Sequence, residues 1–152
     1  MKIVGEIRLE GGLLPSLRRA EIDIIYPSGG SRLKYAAKGM THSVSDEANN
    51  VLLCSERVFS SFWDRLLGGG RTRFSSSGKF VCEIDPKVCA TMDKKIPIDS
   101  FRRTSYTEFF AEDLQITYDH RKGALRFECN PENFLLCLSL AVFGWAQFKS
   151  SN

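Results

Sequence analysis

Apolar and polar residues alternate in several short runs of this chain, and that period of two is the signature of half-buried strands. The clearest case joins Leu114–Asp119 to Ala124–Cys129 through His120-Arg121-Lys122-Gly123. In a hairpin, Leu114, Ile116 and Tyr118 then meet Cys129, Phe127 and Leu125, while Gln115, Thr117 and Asp119 meet Glu128, Arg126 and Ala124 on the wet face. A second hairpin is predicted from Ala20–Tyr26 and Arg32–Lys38. With Gly29-Gly30 as its loop, Tyr26 pairs Leu33, Ile24 pairs Tyr35, Ile22 pairs Ala37, and Glu21 lies opposite Lys38. A third joins Arg71–Ser75 to Lys79–Ile84 through Ser76-Ser77-Gly78, which sets Phe74 against Phe80 and Thr72 against Cys82. An opening strand, Lys2–Glu10, carries Ile3, Ile7 and Leu9 on one face.

Two other stretches follow the helical period. Ser45 suits an N-cap, Asp46 and Glu47 suit a first turn, and Ala48, Val51, Leu52, Ser55, Val58, Phe59, Phe62 and Leu66 recur at helical spacing. Gly68-Gly69-Gly70 then stops the run, which predicts a helix over Asp46–Leu67. A second helix is predicted over Pro131–Phe148, with Asn130 as its cap. Its Phe134–Phe148 stretch is apolar almost all round but too short for a span of about 20 residues, so a buried core helix is expected. Tight hairpins cannot build a parallel sheet. The expected fold is α+β: one domain over residues 1–152, an antiparallel sheet of three hairpins plus the N-terminal strand, and both helices packed on one face.

Composition changes this picture little. The chain has 152 residues, 43% of them hydrophobic and 26% charged, and its net charge is +3, an ordinary globular balance too mild to imply a nucleic-acid or membrane partner. Five cysteines without any C-x-x-C pair suit reduced, buried thiols and a cytoplasmic location. The charged N-terminus does not read as a signal peptide.

Candidate chemistry is sparse. The two histidines, His42 and His120, belong to no ligand-spaced group, so neither a metal site nor another cofactor is expected. No G-x-S-x-G elbow is present, and an active site would have to be built unconventionally from His42, a cysteine and a carboxylate. Gly68-Gly69-Gly70-Arg71-Thr72-Arg73 is glycine-rich and basic, but its glycines close a helix rather than open one, unlike a phosphate loop. The segment Asp85–Glu112 reads as the least regular of the chain, with Lys94-Lys95 and the mixed run FRRTSYTEFF. Arginine and tyrosine are enriched at interface hot spots, so Arg102, Arg103, Tyr106, Lys94 and Lys95 are the expected partner contacts.

These features point to a non-enzymatic, cytoplasmic protein-binding domain without catalytic residues. Its expected concrete form is a small inhibitor or immunity-type protein that neutralises a toxin or enzyme bearing an acidic patch, with no membrane partner. The alternative is a nucleic-acid or phosphate-ligand module using Arg71, Arg73, Arg102 and Arg103. A third reading is an enzyme with an unrecognised site.

Overall fold

A computed structural model describes residues 2–9, 17–26, 29–38, 41–67, 70–85, 88–93, 95–97, 106–111, 114–119 and 124–150. Twelve strands make one antiparallel sheet. They are β1 (Ile3–Leu9), β2 (Leu17–Tyr26), β3 (Gly29–Lys38), β4 (Thr41–Ser45), β5 (Val51–Val58), β6 (Arg71–Ser76), β7 (Lys79–Ile84), β8 (Val88–Ala90), β9 (Lys95–Pro97), β10 (Tyr106–Ala111), β11 (Leu114–Asp119) and β12 (Ala124–Cys129). A short helix, α1 (Phe62–Leu66), lies between β5 and β6, and α2 (Phe134–Ser150) closes the described chain behind a 3-10 turn at Pro131–Asn133. The spatial order is β10-β11-β12-β1-β2-β3-β4-β5-β6-β7-β8-β9. Every strand therefore pairs with its neighbours in sequence, except that the step from β9 to β10 is replaced by pairing of β1 with β12.

The sheet curls because of α2. A helix lying on one sheet face buries one stripe, yet residues 137–145 of α2 are buried without interruption. This helix packs against β11, β12 and β1, and also against β7, far along the strand order. Its Trp145 meets Tyr35 of β3 edge to face, with ring centroids 5.4 Å apart. The inward row of strand side chains, including Ile7, Ile22, Leu33, Val44, Leu53, Phe74, Ile84, Ile116, Leu125 and Phe127, encloses the helix in one core. The only hydroxyl on the buried stretch of α2, that of Ser139, donates to the Leu135 carbonyl at 2.7 Å.

The α+β expectation is thus corrected to a mainly β fold with one enclosed helix. Residues 46–67 do not form one helix, and only the single turn Phe62–Leu66 is helical. Ser45 ends β4, Asp46 organises a tight turn, and Val51–Val58 is a strand between β4 and β6. An acidic residue suits the first turn of a helix, and an Asp equally organises a tight turn by accepting backbone hydrogen bonds, which is why the signal at Asp46 misleads. Asp46 accepts from the backbone N–H of Ala48 and of Asn50, each at 2.9 Å, and Asn49 takes a left-handed φ of 66°. At the second helix, Asn130 holds the cap position in extended backbone, but its side chain makes no capping hydrogen bond.

The Asp46 turn carries a pH prediction. Backbone hydrogen bonding by Asn50 holds the Asp46 carboxyl below its ordinary value of 3.8. A depressed folded-state pKa gives stability that is present above the unfolded value and lost as pH falls through the folded one. Urea titrations at stepped pH should therefore show Asp46→Ala less stable than the parent at neutral pH, with the gap closing on acidification. A gap independent of pH would contradict the assignment.

Two hairpins hold with altered registers. In β2–β3, Ile22 pairs Leu33, Ala20 pairs Tyr35 and Tyr26 pairs Gly29. Gly29 and Gly30 therefore belong to the strand and not to a two-residue loop. Glu21 lies opposite Lys34, not Lys38, and Asp23 pairs Arg32 with an ion pair at 3.0 Å. In β6–β7, Phe74 pairs Cys82 and Thr72 pairs Ile84, with an irregularity after Phe74. The loop is Ser77-Gly78, both at positive φ, instead of three residues. The hairpin β11–β12 has the expected register, with Ile116 opposite Phe127 and Tyr118 opposite Leu125. The supposedly irregular Asp85–Glu112 segment contributes β8, β9 and β10. Strands β8 and β9 have three residues each, too few for an alternating pattern to declare itself.

Candidate functional site

Alternation on β5, β6 and β7 sends Thr72, Phe74, Cys82 and Ile84 inward and leaves a row of charges outside. Glu56 pairs Arg73, Arg73 pairs Glu83, Glu83 pairs Ala90, and Ala90 pairs Lys95, so the row crosses five adjacent strands. Arg71 Nε lies 3.0 Å from Glu83 Oε1 as an ion pair outside hydrogen-bond alignment. Arg73 Nη2 is 3.5 Å from Glu83 Oε2, and Arg73 Nη1 is 3.7 Å from Glu56 Oε1. A recess of about 200 Å³ opens here, lined by Arg71, Glu83, Asp85, Val88, Ala90 and Lys95. Acid and base are balanced across this face, and both arginines are engaged by carboxylates. The structure therefore does not offer Arg71 and Arg73 as an open cationic cradle for phosphate.

At the same end of the sheet, the connection from β5 to β6 makes a different surface. Gly70, at φ 115°, returns the chain to β6, and a Cβ there would come within 2.9 Å of both the Phe59 ring and the Val58 carbonyl oxygen. The Arg57 guanidinium lies 5.9 Å from the Phe59 ring centroid, which braces the base of the connection. Above it, α1 is held by Arg65 N–H donating to the Ser61 carbonyl and Leu67 N–H donating to the Trp63 carbonyl. Phe62 and Trp63 meet edge to face, with centroids 6.1 Å apart. Phe62 and Trp63 are each 68% exposed, Leu66 59% and Leu67 82%. Large apolar side chains exposed singly are ordinary, but four adjacent ones on a single projection mark an interaction surface.

The expected contact residues are only partly in view. Lys95 is exposed and borders the recess, and Tyr106 opens the edge strand β10. Lys94, Arg102 and Arg103 lie outside the described residues. Sequence reasoning missed α1 by counting Phe62 and Leu66 into the buried face of a long helix. The turn signal at Asn49-Asn50 and the serines at 60 and 61 were the available clues that the run is broken.

His42 is part of the core. It is stacked on Phe74 and Tyr35, its Nδ1 is 2.6 Å from the Tyr35 hydroxyl, and its backbone N–H donates to Ser55 Oγ at 2.8 Å. Cys54 lies on the opposite, outer face of β5. The two do not converge as nucleophile and base. Among the described residues, no group of three or more His, Cys, Asp or Glu side chains could hold a metal ion, and no helix is long and apolar enough to cross a membrane.

The fold and this surface define a mainly β domain, curled round an apolar helix and carrying one short apolar projection. In comparisons with known proteins, no family model, no curated relative and no solved structure matches the chain.

Proposed function

We propose that this chain is a non-enzymatic binding domain that docks onto a protein partner through α1. The observation that carries the reading is the exposed cluster of Phe62, Trp63, Leu66 and Leu67, whereas most other large apolar side chains among the described residues fill the core. Tryptophan is the residue most enriched at binding hot spots, and a rigid helical turn presents it without the cost of ordering a loop. Arg65, exposed on the same turn, and the net charge of +3 favour a partner whose apolar groove has an acidic rim. A small cytoplasmic inhibitor or immunity-type protein, which caps a toxin or enzyme, is the concrete form of this reading.

The test begins with capture and identification of the partner, followed by calorimetric titration against the purified pair. Trp63→Ala with Leu67→Ala should weaken binding at least about thirty-fold, since truncating a central anchor costs about 2 kcal/mol or more. The melting temperature should not fall, because both side chains project into solvent. Unchanged affinity would reject α1 as the anchor. Trp63-dependent flotation with phosphatidylserine vesicles and no protein partner would replace the reading with a membrane one. Concentration-dependent dimerisation abolished by the same variant would assign the surface to a second copy.

A further inference from the structure

The row of outward side chains across β5 to β9 carries a charge at every position except one. Glu56, Arg73, Glu83 and Lys95 occupy it on β5, β6, β7 and β9, and Ala90 of β8 stands between Glu83 and Lys95. A methyl group in place of a long side chain there opens the recess of about 200 Å³. The walls of the recess differ in charge. Glu83 lines the β7 side together with Asp85, whose Oδ1 accepts the Val88 N–H at 2.6 Å and is thereby fixed in place. Lys95 lines the β9 side. Between them Cys89 points into the core, so its neighbours Val88 and Ala90 turn outward as an uncharged floor. The two walls stand two strand spacings apart, about 10 Å between backbones. Toward β6 and β5 the charges already match one another. Arg71 lies 3.0 Å from Glu83, and Arg73 reaches both Glu83 and Glu56. Asp85 and Lys95 then add one charge of each sign on opposite walls, and no described residue forms an ion pair with Lys95.

We propose that this recess binds a free amino acid with an apolar side chain. The ammonium group lies on the Asp85 and Glu83 wall, the carboxylate on Lys95, and the side chain on Val88 and Ala90. A zwitterion carries both signs within one small molecule, which is what two walls of opposite charge select. A simple anion or cation satisfies one wall and is repelled by the other: phosphate meets Glu83 and Asp85, and a polyamine meets Lys95 and Arg71. A wholly apolar ligand would desolvate charged side chains and return no hydrogen bond. The volume agrees, since it lies below the roughly 300–1,000 Å³ of sites for drug-sized ligands. The recess is formed by β6 to β9 alone, so this site stands apart from α1 and from the protein partner proposed for it.

Calorimetric titration of the full chain with leucine is the test. Saturable binding with a Kd of about 1 mM or tighter is expected, the range open to so small a ligand. Leucine methyl ester lacks the carboxylate and isocaproate lacks the ammonium group, and each should bind at least about ten-fold more weakly. Lys95→Met should weaken leucine by a similar factor without lowering the melting temperature, because the side chain is exposed. Asp85→Asn keeps an oxygen for the Val88 N–H and should also weaken binding. Ala90→Leu should fill the floor and abolish it. Trp63→Ala with Leu67→Ala should bind leucine as the parent does, which separates this site from α1. The proposal is overturned if leucine, isoleucine, valine and alanine all fail to bind at about 10 mM. Analogues as tight as leucine, or parent-like binding by Lys95→Met or by a folded Ala90→Leu chain, would overturn it equally. Loss of binding in the α1 variant would move the ligand to α1 and end the assignment to the recess.

Discussion

Replacing Phe127 by alanine should destabilise this protein by about 3–5 kcal/mol, the ordinary cost of emptying a large aromatic site in a core. Phe127 is fully buried on β12 and sits opposite Gly5 of β1 at the seam where the last strand meets the first. A Cβ on Gly5 would run into the Phe127 ring. The glycine is therefore a space for the ring, not a turn residue. Gly5→Ala alone should also destabilise, by about 1–3 kcal/mol, as overpacking does. Combining the two should cost less than their sum, because the alanine methyl then enters space the ring has left. A double-mutant cycle by urea unfolding measures that coupling. Strict additivity would mean that the two positions do not compete for one volume, and the β1–β12 seam would have to be packed differently.

Trp145 gives the second large effect, and with it a test of polar burial. Its indole is fully buried against Tyr35, and its Nε1 finds no hydrogen-bond partner among the described residues. Trp145→Ala should cost about 3–5 kcal/mol. Trp145→Phe should cost far less than alanine. Phenylalanine keeps most of the apolar contact and removes a stranded donor, whose burial costs about 1–3 kcal/mol. Thermal or urea unfolding of both variants decides it. A phenylalanine variant as unstable as the alanine one would show that the indole N–H contributes a stabilising interaction.

Much of the local structure was legible from residues alone. The β11–β12 register followed from strict alternation flanking a short polar loop, because a slip by one residue would turn Ile116 and Phe127 to the outside. The core role of α2 followed from its lack of any polar face. Where registers were misjudged, in β2–β3 and β6–β7, the displacement was even, so Leu33, Tyr35, Phe74 and Cys82 still face inward. Parity is enforced by burial along the whole strand, whereas turn length rests on two or three loop residues.

The candidate site was far less legible. Phe62, Trp63 and Leu66 are apolar, and in sequence an apolar residue on a helical period reads as core. Only the pairing of Val51–Val58 between β4 and β6 detaches these residues from the long helix and turns them to solvent. Composition and periodicity by themselves determined which faces must be dry in the three hairpins, the N-terminal strand and α2: the inward rows of those strands and the whole girth of the helix. They could not determine that the sheet would curl round that helix with β1 stitched to β12, since this depends on how twelve strands, several of them not legible singly, share one core. A helix apolar on every side can satisfy its burial only when strands distant in sequence surround it, and that closure is a property of the assembled structure.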